Sequence, residues 1–144
     1  MIHKGAMSVT IYGKYVGGKK VELVHEPSGS VIVTEAPRDN GGEGKSFSPT
    51  DLVAAALGSC ILTTIALVAE RSGLNIDGMH MHAEKNMHTD PRRIGHLPVR
   101  IHLPKSLLTH ERQKLERAGL ACPVHRSLNP EVQALITFVY DVES

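Results

Sequence analysis

The sequence predicts an α+β fold in which helices pack on antiparallel sheet. Three observations carry this reading. The candidate elements run βββ-α-ββ-α-β, without the regular β-α alternation of a parallel sheet; several segments alternate apolar and polar residues; and two helical segments carry start and stop signals. With 144 residues, 41% of them hydrophobic, the chain is expected to form one domain, 1–144, around a buried core.

Residues 7–15 set Met7, Val9 and Ile11 on one side and Ser8 and Thr10 on the other, the period of a half-buried strand. Two Val-rich segments, 20–25 and 30–35, are separated by Pro27, Ser28 and Gly29 and complete an antiparallel meander. Residues 36–47 form a Gly-rich, charged loop. Ser48 then caps a helix whose first residue is Pro49, because the Ser oxygen can accept from free amides and proline lacks the N–H that would go unused. Gly73, just past Arg71, ends it. Within this helix, 52–69 is a stretch of 18 residues without a charge, the length of a short membrane span. Its alanines, the interruptions at Gly58, Ser59, Thr63 and Thr64, and the strands on both sides predict instead a helix buried in protein on nearly every side, with no membrane partner.

Further along, Met79, Met81 and Ala83 alternate with His80, His82 and Glu84, and Val99, Ile101 and Leu103 alternate with Arg100 and His102. These are two one-sided strands, read as a hairpin around Asp90-Pro91. Thr109 is placed to cap a second helix, with Glu111 in its first turn, Lys114 and Arg117 near its end and Gly119 as its stop. Cys122-Pro123 opens a short helical turn, and a last strand sets Ala134, Ile136, Phe138, Tyr140 and Val142 on one face.

Composition narrows the function. Lys and Arg total 16 against 15 Asp and Glu, and aromatics are 3% with no Trp, so neither a phosphate-tracking face nor a base-stacking platform is expected. Residues 1–7 lack the apolar core of a signal peptide, which predicts a cytoplasmic protein whose two cysteines, Cys60 and Cys122, are reduced thiols. The segment GEGKS at 42–46 looks phosphate-cradling, but a P-loop needs glycine five residues before Gly44, where Asp39 stands. His80 and His82 share a strand face, with His102 expected on a neighbouring strand; no carboxylate or thiol obviously completes a metal site, so none is expected.

The two thiols differ. On a regular helix Cys60 shares its face with Val53, Ala56, Leu57, Thr63, Thr64 and Leu67, an apolar setting with two hydroxyls. Such a pocket leaves a thiol inert unless a cation is brought to it. Cys122 precedes Pro123 at a helix N-terminus, where free amides and the dipole favour a thiolate. His125 follows by three residues and can face the same way, the spacing of a Cys/His nucleophile pair in a hydrolase.

The stretch SPTDLVAAALGSCILTT, followed some sixty residues later by CPVHRSL, resembles the OsmC/Ohr superfamily, the osmotically inducible and organic hydroperoxide resistance proteins. There too a Pro opens the central helix, a Cys follows eleven residues later, and a second Cys-Pro pair lies near the C-terminus. The resemblance covers nearly the whole chain. It implies antiparallel sheets packed around a long central helix in an intertwined homodimer that reduces organic hydroperoxides without a bound cofactor. Cys60 matches the peroxidatic cysteine and Cys122 the resolving one, with a lipoyl-type dithiol as reductant.

The match departs at the activating groups. Peroxidase members carry Glu directly after the helix-opening Pro; here Thr50 stands there, with Asp51 beside it. Asp51 lies about 180° around the helix from Cys60, and Thr50 is about 15 Å along it, so contact would require an antiparallel partner helix. The family's activating Arg matches Lys19 in GGKK, with Arg38 as a loop alternative. A lysine keeps the charge but loses the planar fork. The missing Glu leaves a second reading, a non-catalytic dimer that binds a small apolar ligand in the Cys60 cleft.

Overall fold

The computed structural model describes residues 7–143 and contains two compact units, Met1–Leu52 and Val53–Ser144.

The first unit is the expected meander. Strands β1 (Ile11–Gly17), β2 (Lys20–His25) and β3 (Val31–Glu35) pair antiparallel in the order β1-β2-β3. The β1–β2 turn places Gly17, Gly18 and Lys19 all at positive φ, which is why two of its three residues are glycine. Strand β1 begins at Ile11, so Met7 and Val9 precede it, and the half-buried face expected of 7–15 stays open: Ile11 is 61% exposed and Tyr15 65%. After β3 the chain folds back in a loop, where the Glu35 amide donates to the Phe47 carbonyl at 3.1 Å. The buried Glu35 carboxylate accepts from the Glu43 amide at 3.0 Å. Gly42 is required there, because a Cβ would sit 1.5 Å from the Ala36 carbonyl oxygen.

Helix α1 (Pro49–Arg71) starts on a reciprocal cap. The Ser48 hydroxyl accepts from the Asp51 amide at 3.1 Å, and the Asp51 carboxylate accepts from the Ser48 amide at 2.9 Å. At its other end Gly73 takes φ 65°, the left-handed stop the sequence predicts.

The second unit continues with β4 (His80–Ala83), β5 (Asn86–His88), β6 (Arg93–His96), β7 (Val99–Pro104), α2 (Thr109–Leu120), α3 (Pro123–Ser127) and β8 (Ile136–Val142). Strands β4 and β7 pair antiparallel as expected, while the turn at Asp90-Pro91 lies not directly between them but in an intervening two-stranded ribbon, β5–β6. The expectation of a wholly antiparallel sheet fails at β8, which pairs parallel to β7. The cause is the connection: α2 and α3 carry the chain back across, so β8 enters in the direction of β7.

The core of this unit joins α1, β7 and α2. Leu57, Ile61, Ile65, Ile101, Leu103 and Leu115 are all fully buried, each contributing roughly 1.5–3 kcal/mol by removal from water. Two glycines set the approach distances. A Cβ on Gly58 would meet the Met81 sulfur at 2.6 Å, and one on Gly119 would meet Ile61 and Ile65 at 3.1 Å. Gly119 therefore serves packing and does not stop α2, which runs on to Leu120. Nor does Thr109 cap that helix; it is the first helical residue, and the Glu111 carboxylate accepts from the Leu108 amide at 2.7 Å instead.

The prediction that α1 is buried on nearly every side is corrected. It buries Ala54, Leu57, Gly58, Ile61, Ile65 and Ala69, while Ala56, Ser59, Thr63 and Leu67 remain open. By length and composition α1 is apolar enough to cross a membrane, and 33% of that apolar window is buried within its own chain.

Candidate functional site

Cys60 and Cys122, far apart in sequence, meet where α1 passes the start of α3. Cys122 is the N-cap of α3 with Pro123 at the first helical position, as the Cys-Pro pair predicts. Its sulfur is fully buried and accepts from the His125 amide at 3.3 Å. Cys60 is half-buried, packs on the same hydrophobic cluster, and its thiol lies near enough to that of Cys122 to perturb it. Both are free thiols.

The electrostatic expectation for Cys122 is reversed. Burial pushes its thiol up, the amides of His125 and Val124 pull it down, and Cys60 adds a further push, so the net shift is upward. Desolvation of a charge at the buried sulfur, with the Cys60 thiol beside it, outweighs the two amide contacts. Sequence alone places the helix start but not the depth at which it is buried.

The hydroxyls on the Cys60 face do not turn toward the sulfur. Thr64 donates to the Cys60 carbonyl at 2.8 Å and Thr63 to that of Ser59 at 2.9 Å, the back-bonding usual for such residues inside a helix. His125 does not form the nucleophile pair its spacing suggests: its Nδ1 is engaged by the Leu120 carbonyl at 3.0 Å, and its bond to Cys122 runs through the main-chain amide.

The four candidate activating residues fall into two groups in the first unit. Thr50 and Asp51 belong to the cap of α1, with the Thr50 hydroxyl 3.2 Å from that of Ser48 and the Asp51 carboxylate on the Ser48 amide. Lys19 and Arg38 both brace the 36–47 loop. The Lys19 ammonium donates to the Gly41 carbonyl at 2.7 Å, and Arg38 Nε donates to that of Glu43 at 3.0 Å.

The three histidines do come together on the sheet. His80 stacks on His102 with ring centroids 4.5 Å apart, and His82 sets its edge against both. Asp141, which the sequence offered no way to place, holds His102 Nδ1 at 2.9 Å and has its carboxyl lowered chiefly by that bond. Among the described residues, no group of three or more His, Cys, Asp or Glu is arranged to hold a metal ion.

Comparison with known proteins bears on the family and the fold. A model of the OsmC-like protein family matches residues 42–136, from the loop before α1 to the start of β8. The crystal structure of a candidate osmotic stress induced and detoxification response protein from Psychrobacter arcticus 273-4 superposes with TM-score 0.84 at 31% identity, covering 96% of this chain and 99% of that one. An organic hydroperoxide resistance protein from Elizabethkingia anophelis gives TM-score 0.77 at 14% identity, over 96% of this chain and 100% of the other. The organic hydroperoxide resistance protein OhrB of Bacillus subtilis gives 0.68 at 17%, over 92% and 98%. The last two show a shared fold alone.

Proposed function

Because the chain belongs to the OsmC-like protein family, within the OsmC/Ohr superfamily, we propose that it is a thiol-dependent reductase of organic hydroperoxides. The observation that carries the reading is the contact between Cys60 and Cys122, two thiols from α1 and the N-cap of α3 in one apolar setting.

The Cys60 thiolate attacks the distal oxygen of the hydroperoxide. The S–O bond forms as the O–O bond breaks, the alcohol departs with a proton, and Cys60 becomes a sulfenic acid. Cys122 then attacks the Cys60 sulfur; its proton leaves with the hydroxyl as water, and a disulfide closes. An external dithiol of the lipoyl type returns both thiols by exchange. Half-burial suits Cys60 to meet substrate, and full burial suits Cys122 to wait for its neighbour.

The working form in this proposal is a cytoplasmic, intertwined homodimer with α1 at its centre. Support comes from apolar surface that the single chain leaves open: Ile11, Tyr15, Val31 and Ile32 are each more than half exposed, and Leu67 on α1 is 49% exposed. Patches of that kind mark association surfaces. A partner chain is also the proposed source of the cation that activates Cys60.

A second reading is a dimer that binds a small apolar ligand beside Cys60 without reducing it. It is favoured by Thr50 in the place of the family Glu and by the engagement of Lys19 and Arg38 with their own loop. Cumene hydroperoxide added to the reduced protein separates the two. Rapid consumption by wild type and none by Cys60→Ser is expected; no consumption, or equal consumption by both, leaves only the second reading.

A further inference from the structure

Strand alternation gives the β4–β7–β8 sheet two unlike faces. Met81, Ile101 and Phe138 pack with the core, and the opposite face carries His82, Arg100 and Thr137 in one row across three strands, paired His82 to Arg100 and Arg100 to Thr137. This row lines a cleft of about 530 Å³, within the size range of small-molecule sites. Glu84 lies on the same wall, and Pro98 and Leu135 supply its apolar part, with Leu135 59% exposed; Val99 borders the cleft while its side chain packs in the core on the other face.

The chemistry of the cleft is asymmetric. The Arg100 guanidinium makes no hydrogen bond or ion pair among the described residues, whereas His102 on the same strand is held by Asp141. A planar fork of donors left open in a concavity matches a carboxylate, which it can grip bidentately. The Thr137 hydroxyl and the His82 imidazole stand on either side of it as further donors. The cleft holds one permanent cation and one carboxylate, Glu84, so a monoanion is better matched than a dianion. The neighbouring apolar residues require that the ligand also carry hydrocarbon.

We propose that this cleft is a binding site for a small monocarboxylate with a hydrocarbon chain, held by Arg100 with Thr137 and His82 and covered along its chain by Leu135 and Pro98. The site lies on the face of the sheet opposite the packed core and is independent of the thiol chemistry.

Octanoate serves as the probe, titrated into the reduced full chain while backbone amide and Arg Nε resonances are followed by NMR. Saturable shifts are expected at Arg100, Thr137 and Leu135. Arg100→Gln, at an exposed position, is expected to weaken binding at least tenfold, Arg100→Lys less, and Cys60→Ser not at all. Octan-1-ol and octyl phosphate are both expected to bind more weakly than octanoate. The proposal is overturned by equal binding to Arg100→Gln, by octanol or octyl phosphate binding as tightly as octanoate, by shifts confined to residues around Cys60, or by no saturable binding.

Discussion

At Cys122 two opposing effects act on one sulfur. Burial and the neighbouring Cys60 thiol favour the neutral form, and the amides of α3 favour the thiolate; burial is the largest single effect, and the folded thiol ionises above its ordinary range. A group whose folded pKa is raised contributes stability that is complete below the unfolded pKa and is lost as pH rises through the folded one. The Cys122 13Cβ resonance of the wild-type protein, followed against pH, is therefore expected to show a midpoint above about 8.5, the ordinary cysteine value. A midpoint at or below that value contradicts the account. Cys60, the less buried of the two, is the thiol expected to alkylate first in wild type. Gly42 makes a residue-scale prediction of another kind. Gly42→Ala forces a methyl against the Ala36 carbonyl and is expected to cost about 1–3 kcal/mol in urea unfolding, with the shifts concentrated in the loop braced by Lys19 and Arg38.

Among the elements, α1 carries both the core and the proposed nucleophile. Its buried stripe predicts that Ile61→Ala loses about 2–5 kcal/mol by denaturant unfolding, because Ile61 is fully buried between the sheet and α2. The start and end of α1 were legible in the sequence, since Ser48, Pro49 and Gly73 act through bonds within a few residues of themselves. The caps of α2 were not. Thr109 is itself the first helical residue, and the Glu111 carboxylate reaches back from within the first turn to the Leu108 amide, so the helix opens one residue earlier than a Thr cap would set it. The parallel pairing of β8 was illegible for a further reason: an alternating strand looks the same in either direction, and its direction is set by how α2 and α3 return the chain. The two cysteines were found from sequence because each sits beside a proline-marked helix, but their contact, like that of His102 with Asp141, spans residues that no local pattern relates.

For the whole molecule, the one-sided burial of α1 and the open strands of β1 and β3 leave a single chain with more apolar surface than its own fold covers. The proposed homodimer accounts for both. Sedimentation equilibrium is expected to give twice the 15.6 kDa chain mass, and Leu67→Glu, which places a charge on the open face of α1, is expected to shift the mass toward one chain while far-UV circular dichroism is retained. A single-chain mass for wild type, or an unchanged dimer in Leu67→Glu, contradicts that assembly. The central claim remains that Cys60 and Cys122 act as a redox pair. Its most direct test is to add one equivalent of organic hydroperoxide to the reduced protein, then measure intact mass and map the disulfides. The account predicts loss of two hydrogens per chain, one alcohol released, and a Cys60–Cys122 disulfide, with Cys122→Ser stopping at a sulfenic acid on Cys60. An unchanged mass, or oxidation that proceeds equally in Cys60→Ser, would contradict it.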